Sequence, residues 1–581
     1  MRSRLVEQRF PSSSATLRIM TLGRVYFVLG SIGILFVLLI GRAVYLQVVQ
    51  QDFLVNQGEA RFRRVMTLES NRGVITDRHG EPLAISSPVE TIWASPADMD
   101  PVPPAKLREL ARILDTSVQE LDTKFADRRR EFVYLKRQIS PHIADKVMAL
   151  GIPGVAKQKE YRRFYPAGDI VSHLIGFTGV DGKGQEGVEL TREKMLAGTN
   201  GRRVVLKDRR GHVIEDVAAI QPPHDGQTVA LTIDYRVQYL AYRELKHAVE
   251  ENKAKAGSAV VLDAKTGELL AMANYPSFNP NNQQGVTPNM RRNRALIDLF
   301  EPGSTMKPLS IAVALEEGKA TIHSILDTHS YFIGPAQIRD VSPSPSLDIP
   351  GIIKKSSNVG ASRLALMVAP QVFWNYYDVF GFGRPTNIGF PGEASGRLRD
   401  WKTWRPIEQA TMSFGYGVSA NLLQLTRAYS LFTNDGIILP VSLYKSSLPL
   451  SGRRVLSGKT ANVMRDILVG NSQPGGGAIN GRIIGYSIGG KSGTARKLEG
   501  RAYLKDKHRA LFIGFAPGSD PRLIVGVMID EPSAGKYFGG AVAAPVFSRI
   551  TGGALRIFNI EPDEPSNNTL LPESAPVPAD F

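Results

Sequence analysis

Cysteine occurs nowhere in the 581 residues. Disulfides, thiol catalysis and cysteine-based metal sites are thereby excluded, and a chain without thiols can be exported to an oxidising compartment with no risk of wrong pairing. Long apolar runs are scarce: "VYFVLGSIGILFVLLIG", Val25 to Gly41, carries no charged residue, and no second run of comparable length follows. Acidic residues are in deficit, 55 Asp and Glu against 71 Lys and Arg, for a formal charge of +16. Such an excess suits nucleic acid or an anionic membrane and wall. No zinc-knuckle spacing, RNP-like aromatic run or sustained Lys/Arg block accompanies it, so the charge reads as a basic surface without nucleic-acid function.

The apolar run resumes after Arg42 as "AVYLQVV", close to the roughly 20 residues that cross a bilayer. Ahead of it stand Arg2, Arg4, Arg9, Arg18 and Arg24 against Glu7 alone. The positive-inside rule then keeps the N-terminus cytoplasmic. No small-residue cleavage site follows, so the segment reads as an uncleaved anchor. The expected layout is a cytoplasmic tail over 1–24, an anchor over 25–45, and everything beyond outside the cytoplasm.

What is there in abundance is glycine punctuation. Residues 46–228 read as mixed, irregular structure. In "RGVITDRHGEPLA" Gly80 marks a turn between two short strands, and "RRFYPAGDIVSHLIGFTGVDGKGQEGVEL" is a second glycine-rich block. A second region spans 229–560. Asp234 can cap a helix whose Val237, Ala241, Leu245 and Val249 share a face. "SAVVLDAKTGELLAMAN" reads as a hairpin turning at Lys265–Gly267, "ALFIGFAPGSDPRLIVGVMIDEP" as two further strands, and "AVAAPVFSRITGGALRIFNI" as a closing helix. Strands at both ends with helices between predict one sheet built from the two ends around a helical insert. Residues 561–581 are Pro-, Asn- and acid-rich and read as disordered.

Within the second region, "EPGSTMKPLS" sets Ser304 three residues before Lys307, at the start of an apolar helix ending near Gly318. Residues i and i+3 on a helical turn share a face. A helix start lends N–H groups and positive dipole to the serine. A serine hydroxyl needs a base, and lysine serves only when burial or a nearby cation has lowered its pKa. Two further elements follow: Ser356-Ser357-Asn358 at a helix start, and Lys491-Ser492-Gly493-Thr494 in a strand after a glycine pair. Each is weak alone. Ser442–Lys445 and Ser533–Lys536 repeat the first pattern, and Ser277–Asn279, Ser419–Asn421 and Ser566–Asn568 the second. Lys265–Gly267 repeats the third. The ordered set, 52 and then 135 residues apart, is not weak. Ser442 and Ser533 lack a helix start, Lys265 precedes the serine and sits in a turn, Ser419 reads as a helix cap, and Ser566 falls in the tail.

The set resembles that of the penicillin-recognising serine transpeptidases, SxxK, SxN and K[ST]G. With the single anchor and the "RGVITDRHG" and "RRFYPAGD…GFTGVDGKGQEGVE" blocks, the chain resembles a class B penicillin-binding protein of the cell-division type, from the anchor to about residue 560. The resemblance implies an αβα transpeptidase domain on a mixed α/β pedestal (dimerisation) domain with one transmembrane helix. It implies a D,D-transpeptidase that cross-links peptidoglycan stem peptides at the septum and is inhibited by β-lactams. Ser304 would be the nucleophile, Lys307 its base, and Ser356 the proton relay to the leaving D-Ala amine. Asn358 would hold the peptide amide and the lysines. Lys491 would anchor the substrate carboxylate and depress the Lys307 pKa. Ser492, Gly493 and Thr494 would line the substrate strand, the N–H groups of Ser304 and Thr494 forming the oxyanion hole. Arg72, Asp77 and Arg78 read as structural or partner-contacting. Implied partners are D-Ala-D-Ala donor and amine-acceptor stem peptides, β-lactams, and a polytopic glycan polymerase with other division proteins; no metal or organic cofactor is implied.

Two rival readings stay open. A carboxypeptidase or β-lactamase would share the motifs, but a class A β-lactamase activates water with a Glu followed four residues later by Asn. Between Asn358 and Lys491 the only glutamates are Glu393 and Glu408, followed at that spacing by Arg397 and Met412. A non-catalytic scaffold or β-lactam sensor is the other, though a sensor usually carries more spans or a cytoplasmic output domain.

Overall fold

The computed structural model describes residues 22–51, 53–54, 63–207, 213–446, 448, 450–500 and 502–568. Helix α1, Leu22–Val44, continues through a wider turn at Tyr45–Val49. Residues Gly23–Val49 are long and apolar enough to cross a membrane, and their large side chains are exposed apart from the half-buried Leu46. A helix apolar on all sides and packed on nothing suits a lipid environment. Most of the basic tail that sets the expected orientation lies in residues 1–21, outside the described residues.

The first domain is organised around one long strand, Pro82–Ala94, which pairs antiparallel with Val133–Ile139 on one edge and Val155–Phe164 on the other. The turn at Gly80 does join two strands, Ile75–Thr76 and Pro82–Ala94, but the second is 13 residues long rather than short. Its outer half packs with three helices, Pro104–Leu114, Val118–Ala126 and Pro141–Ala149, into a separate small core. Its inner half joins the main core, since Ile75, Leu83, Tyr165 and Val188 pack continuously with residues of the second domain. A buried ion triad ties the two glycine-rich blocks together. Glu189, with no solvent exposure, accepts from Arg72 Nε at 2.6 Å and from Arg163 Nε at 2.7 Å. Arg78 pairs with Glu268 across the domains at 3.0 Å, and the Asp77 carboxylate accepts from the Tyr235 N–H.

The second domain is three-layered. Helix α2, Tyr235–Glu251, starts where Asp234 accepts from the Arg236 N–H, and all four residues predicted for its inner face are buried. Strands β1 (Ala256–Asp263) and β2 (Leu269–Tyr275) form the hairpin. The chain then leaves for about two hundred residues of mostly helical insert, including α3 (Lys307–Glu316) and α4 (Asn358–Leu366). It returns as β3 (Gly489–Glu499), β4 (Ala502–Ala516) and β5 (Leu523–Asp530), and closes with α5 (Ala544–Ile557). The sheet order is β2-β1-β5-β4-β3, all antiparallel. Strand alternation sends Val261, Phe512 and Val527 to the side of α2 and α5, and Val260, Leu511 and Met528 to the side of the insert. Both faces are covered, leaving β3 at an edge that faces the insert.

Two expectations are corrected. Asn421, not Ser419, caps helix Leu422–Ala428, because its side chain accepts from the Gln424 N–H while Ser419 exchanges backbone bonds with Arg397. The segment read as a disordered tail from residue 561 is bonded to the second domain through residue 568. Asp563 accepts from the Ser487 and Ser519 N–H groups, and Asn568 donates to the carbonyls of Ile483 and Tyr486. Acidic, proline-rich composition does not register such specific partners. Residues 569–581 lie outside the described residues.

Candidate active site

Ser304 sits in a tight 3₁₀ turn, Gly303–Met306, and the α-helix proper begins only at Lys307. Pro308 explains the late start: a proline fits the first helical turn, where its missing N–H costs nothing. With three residues per turn, side chains at i and i+3 eclipse, and Lys307 Nζ comes to 3.0 Å from Ser304 Oγ. The turn is braced from behind, where Thr305 Oγ1 donates to the Pro302 carbonyl and the buried Tyr429 hydroxyl to that of Thr305. Gly303 has φ +57° and lies so close to Gly415 that a methyl on Gly415 would sit 2.2 Å from the Gly303 oxygen. A side chain at either position would displace the serine.

Ser356 lies opposite, in the left-handed region at φ +53°. A non-glycine residue held there is strained and needs its surroundings to fix it. In this conformation both its oxygens meet one amine: Lys307 Nζ is 3.1 Å from Ser356 Oγ and also bonds the Ser356 carbonyl. The helix cap of this motif is the middle serine, Ser357, whose hydroxyl accepts from the Gly360 N–H. The motif is clamped from outside by Asp340, which accepts from Ser357 Oγ and from the Val359 N–H at 2.9 Å. Asn358 Nδ2 donates to the Arg339 carbonyl at 3.2 Å, and among the described residues no hydrogen bond joins its side chain to Lys307 or Lys491. No sequence pattern pointed to Arg339 or Asp340, since they lie in a loop upstream of the motif.

The third element is the edge strand. The Gly490 carbonyl accepts from Asn471 Nδ2, and the Thr494 carbonyl faces Gly303, a methyl on which would lie 3.3 Å away. On an antiparallel edge strand the N–H and C=O of one residue point the same way, and alternate residues share that direction. The N–H groups of Ser492 and Thr494 therefore face the cleft. Gly493 packs on the turn, where a methyl would fall 2.8 Å from Thr305 Cγ2 and 3.1 Å from the Pro302 oxygen. The Lys491 amine donates to the Ser492 carbonyl at 3.0 Å.

All eight sequence-predicted site residues except the fully buried Lys307 line a single cleft of about 1570 Å³, and Lys307 is bonded to two of them, Ser304 and Ser356, from beneath. The repeats of the motifs lie elsewhere: Ser442 Oγ donates to the Tyr444 carbonyl and Ser533 Oγ to that of Lys253. Lys307 and Lys491 are both buried. Burial, then the charge of Lys491, hold the Lys307 amine well below the ordinary lysine range, with Asp340 opposing; burial alone pushes Lys491 down to about 7. An amine that is neutral has two protons and one lone pair. Lys307 can then donate to the two Ser356 oxygens and accept the Ser304 proton, which makes it a base aimed at a nucleophile.

Comparison with known proteins identifies both domains. Residues 257–552 match the penicillin-binding protein transpeptidase domain, and residues 67–231 the penicillin-binding protein dimerisation domain. The probable peptidoglycan D,D-transpeptidase PenA of Neisseria gonorrhoeae is 46% identical over 94% of each chain. The peptidoglycan D,D-transpeptidase FtsI of Escherichia coli K12 is 44% identical over 90% of each. The apo structure of the transpeptidase domain of Burkholderia pseudomallei penicillin-binding protein 3 is 45% identical, with a TM-score of 0.54 over 58% of this chain and 98% of that one. Two adjoining domain matches and relatives aligned over nearly the full length leave one assignment: the chain belongs to the penicillin-binding protein transpeptidase family, as a class B member with a dimerisation domain ahead of the transpeptidase domain.

Proposed function

We propose that this protein is a peptidoglycan D,D-transpeptidase that cross-links stem peptides at the division septum through a Ser304 acyl-enzyme. The observation that carries the reading is the buried Lys307 amine held at 3.0 Å from Ser304 Oγ and 3.1 Å from Ser356 Oγ. Ser304 Oγ attacks the penultimate D-Ala carbonyl as its proton passes to neutral Lys307. The oxyanion is held by the N–H groups of Ser304 and Thr494, where stabilisation of developing charge is largest. The C–N bond then breaks. Ser356 gives its proton to the departing D-Ala amine and is resupplied by Lys307. An acceptor amine attacks the ester, its proton returns along the same path, and Ser304 recovers its hydrogen. One amide replaces another, so the exchange balances. Lys491 anchors the carboxylate, and Asn358, fixed on Arg339, presents its side chain to the peptide. A β-lactam acylates the same serine and stays.

Neither glutamate between Asn358 and Lys491 is placed to activate water, which supports transfer over hydrolysis. Glu393 is occupied by the Thr386 N–H and hydroxyl at 2.6 Å each, Glu408 pairs with Arg399 at 2.9 Å, and neither lines the cleft. The N-terminal apolar helix, Gly23–Val49, serves as an inner-membrane anchor with the N-terminus cytoplasmic. The dimerisation domain is the surface for a glycan polymerase and other division proteins, as the resemblance to the division-type relatives implies. The test is intact-protein mass after brief exposure to penicillin and removal of excess drug. A single adduct on Ser304 lasting many minutes to hours is expected; rapid multiple turnover would overturn the reading in favour of a hydrolase.

A further inference from the structure

Strand β3 carries both the Lys491 amine and the Thr494 N–H, yet it opens on two residues that cannot hold it in place. A methyl on Gly489 would meet Phe515 Cζ at 2.2 Å, and one on Gly490 would meet Phe512 Cζ at 2.7 Å. Phe515 belongs to the core on the insert side and Phe512 to the core under α2 and α5. The glycine pair is pressed between two rings, with no side chains of its own to key it into the sheet. β3 is also an edge strand, paired in the sheet with β4 alone, so one row of its backbone groups needs partners from outside.

That row runs Gly490, Ser492, Thr494. At one end Thr494 lies against the nucleophile turn at Gly303. At the other the Gly490 carbonyl accepts from Asn471 Nδ2 at 2.8 Å. Asn471 is buried, at the end of helix Gly458–Gly470, and its Oδ1 accepts from the Gly477 N–H at 3.1 Å. One amide thus fixes the spacing between the strand and the loop of Gly476 and Gly477, which lines the cleft. Ser492, between the two fixed points, is left facing the cleft.

The approach to β3 is anchored separately, by the C-terminal segment. The Asp563 carboxylate accepts from the Ser487 N–H at 2.8 Å, from the Ser487 hydroxyl, and from the Ser519 hydroxyl at 2.7 Å. Ser487 Oγ in turn accepts from the Gly518 N–H at 2.8 Å. Ser487 stands just before β3 and Ser519 just after β4, so one carboxylate closes the open end of the β3–β4 pair. Among the described residues beyond Ile560, none belongs to either core, so removing Asp563 leaves both cores intact.

Resting on the Ser304 acyl-enzyme reading above, we propose that Asn471 and Asp563 are positioning residues for the transfer reaction, which together fix where β3 lies and so bring the Lys491 amine and the Thr494 N–H to the nucleophile. Four residues of strand separate Gly490 from Thr494, about 13 Å at about 3.3 Å each. A small tilt at the glycine pair is therefore carried to the oxyanion donor. Neither side chain needs to touch the substrate.

The experiment measures acylation of the full chain in detergent by penicillin, each rate referred to the folded fraction. Saturation with drug separates the limiting acylation rate from the apparent affinity. A shift of about 1 Å in reacting groups can cost about 10²-fold, and Asn471→Ala is expected to lower the limiting rate by that order. Asp563→Ala should lower it about tenfold, as for a fraction of that shift. Asp563→Asn keeps an acceptor for the Ser487 N–H and should retain most of the rate. The acid limb of the rate is a readout that lost stability alone would not move. Lys307 faces Lys491, with Asp340 opposing. A strand that swings away takes Lys491 with it and admits water, and both raise the Lys307 pKa and move the limb to higher pH. Variants that melt earlier but acylate at the wild-type rate, with the limb unmoved, overturn the assignment. If Asn471→Ala does not fold, Asp563→Ala decides by the same two measures. A wild type that is never acylated at Ser304 overturns the acyl-enzyme reading instead, before any variant is compared.

Discussion

Lys307 Nζ lies 3.1 Å from Ser356 Oγ, across 49 residues of sequence. That contact joins the helix bearing the nucleophile to the turn bearing the relay, and it makes one amine common to two hydroxyls. The expected consequences of substitution follow from which of its protons and charges is removed.

Ser304→Ala removes the nucleophile but no buried contact beyond one hydrogen bond. Labelling by a fluorescent penicillin is expected to vanish while the melting temperature stays nearly unchanged, as for substitutions away from packing and caps. Ser442→Ala, whose serine only bonds the Tyr444 carbonyl, should label normally. Undiminished labelling of Ser304→Ala would end the assignment.

Lys307→Arg and Lys491→Arg should part company. Guanidinium cannot give up its proton in the accessible pH range, so the first loses acylation. The second keeps its charge and retains measurable acylation with poorer geometry. Stopped-flow acylation rates for the pair decide it, an active Lys307→Arg protein being fatal to the role of Lys307 as base.

The pH profile carries a sign. Acylation requires neutral Lys307, so its acid limb falls where that amine takes up a proton. Burial holds the Lys307 pKa down, and the positive charge of Lys491 adds to it. Lys491→Met removes the charge, raises the Lys307 pKa, and moves the acid limb to higher pH. A limb that stays put or moves to lower pH contradicts the coupling.

Gly493→Ala tests how closely β3 must pack on the nucleophile turn. Its methyl would meet Thr305 Cγ2 at 2.8 Å and the Pro302 oxygen at 3.1 Å, so strand and turn must separate. A shift of about 1 Å in reacting groups can cost about 10²-fold, and acylation should fall by that order. A variant acylating at the wild-type rate would show that the strand can yield without moving Thr494.

Glu189→Gln probes the pedestal. It leaves Arg163 buried without its counter-charge, while Arg72 keeps only Glu193, and breaking a buried pair typically costs ~3–5 kcal/mol. Denaturant unfolding should show the loss, while acylation per folded molecule stays near normal because the triad lies outside the cleft. Unchanged stability would mean that water or the Glu193 carboxylate, 2.7 Å from Arg72, replaces it.

Much of this was legible in the residues themselves, wherever a local rule governs. The N-terminal apolar helix follows from its apolar composition, helix α2 from its cap and its 3.6-residue period, and the β1–β2 hairpin from its turn. Ser304 and Lys307 share a face because three residues make one turn, whatever surrounds them. The tertiary structure alone decided what happens between segments distant in sequence. It chose Asn421 over Ser419 as cap, bound Asp563 and Asn568 to a domain their composition does not favour, and placed Arg339 and Asp340 behind the Ser356–Asn358 turn. It also decided the chemistry. A lysine three residues from a serine is an ordinary cation until burial removes water from it and a second lysine, 184 positions away, is packed into the same low-dielectric site. Desolvation and charge–charge repulsion depend on three-dimensional neighbours, and no spacing of letters encodes them.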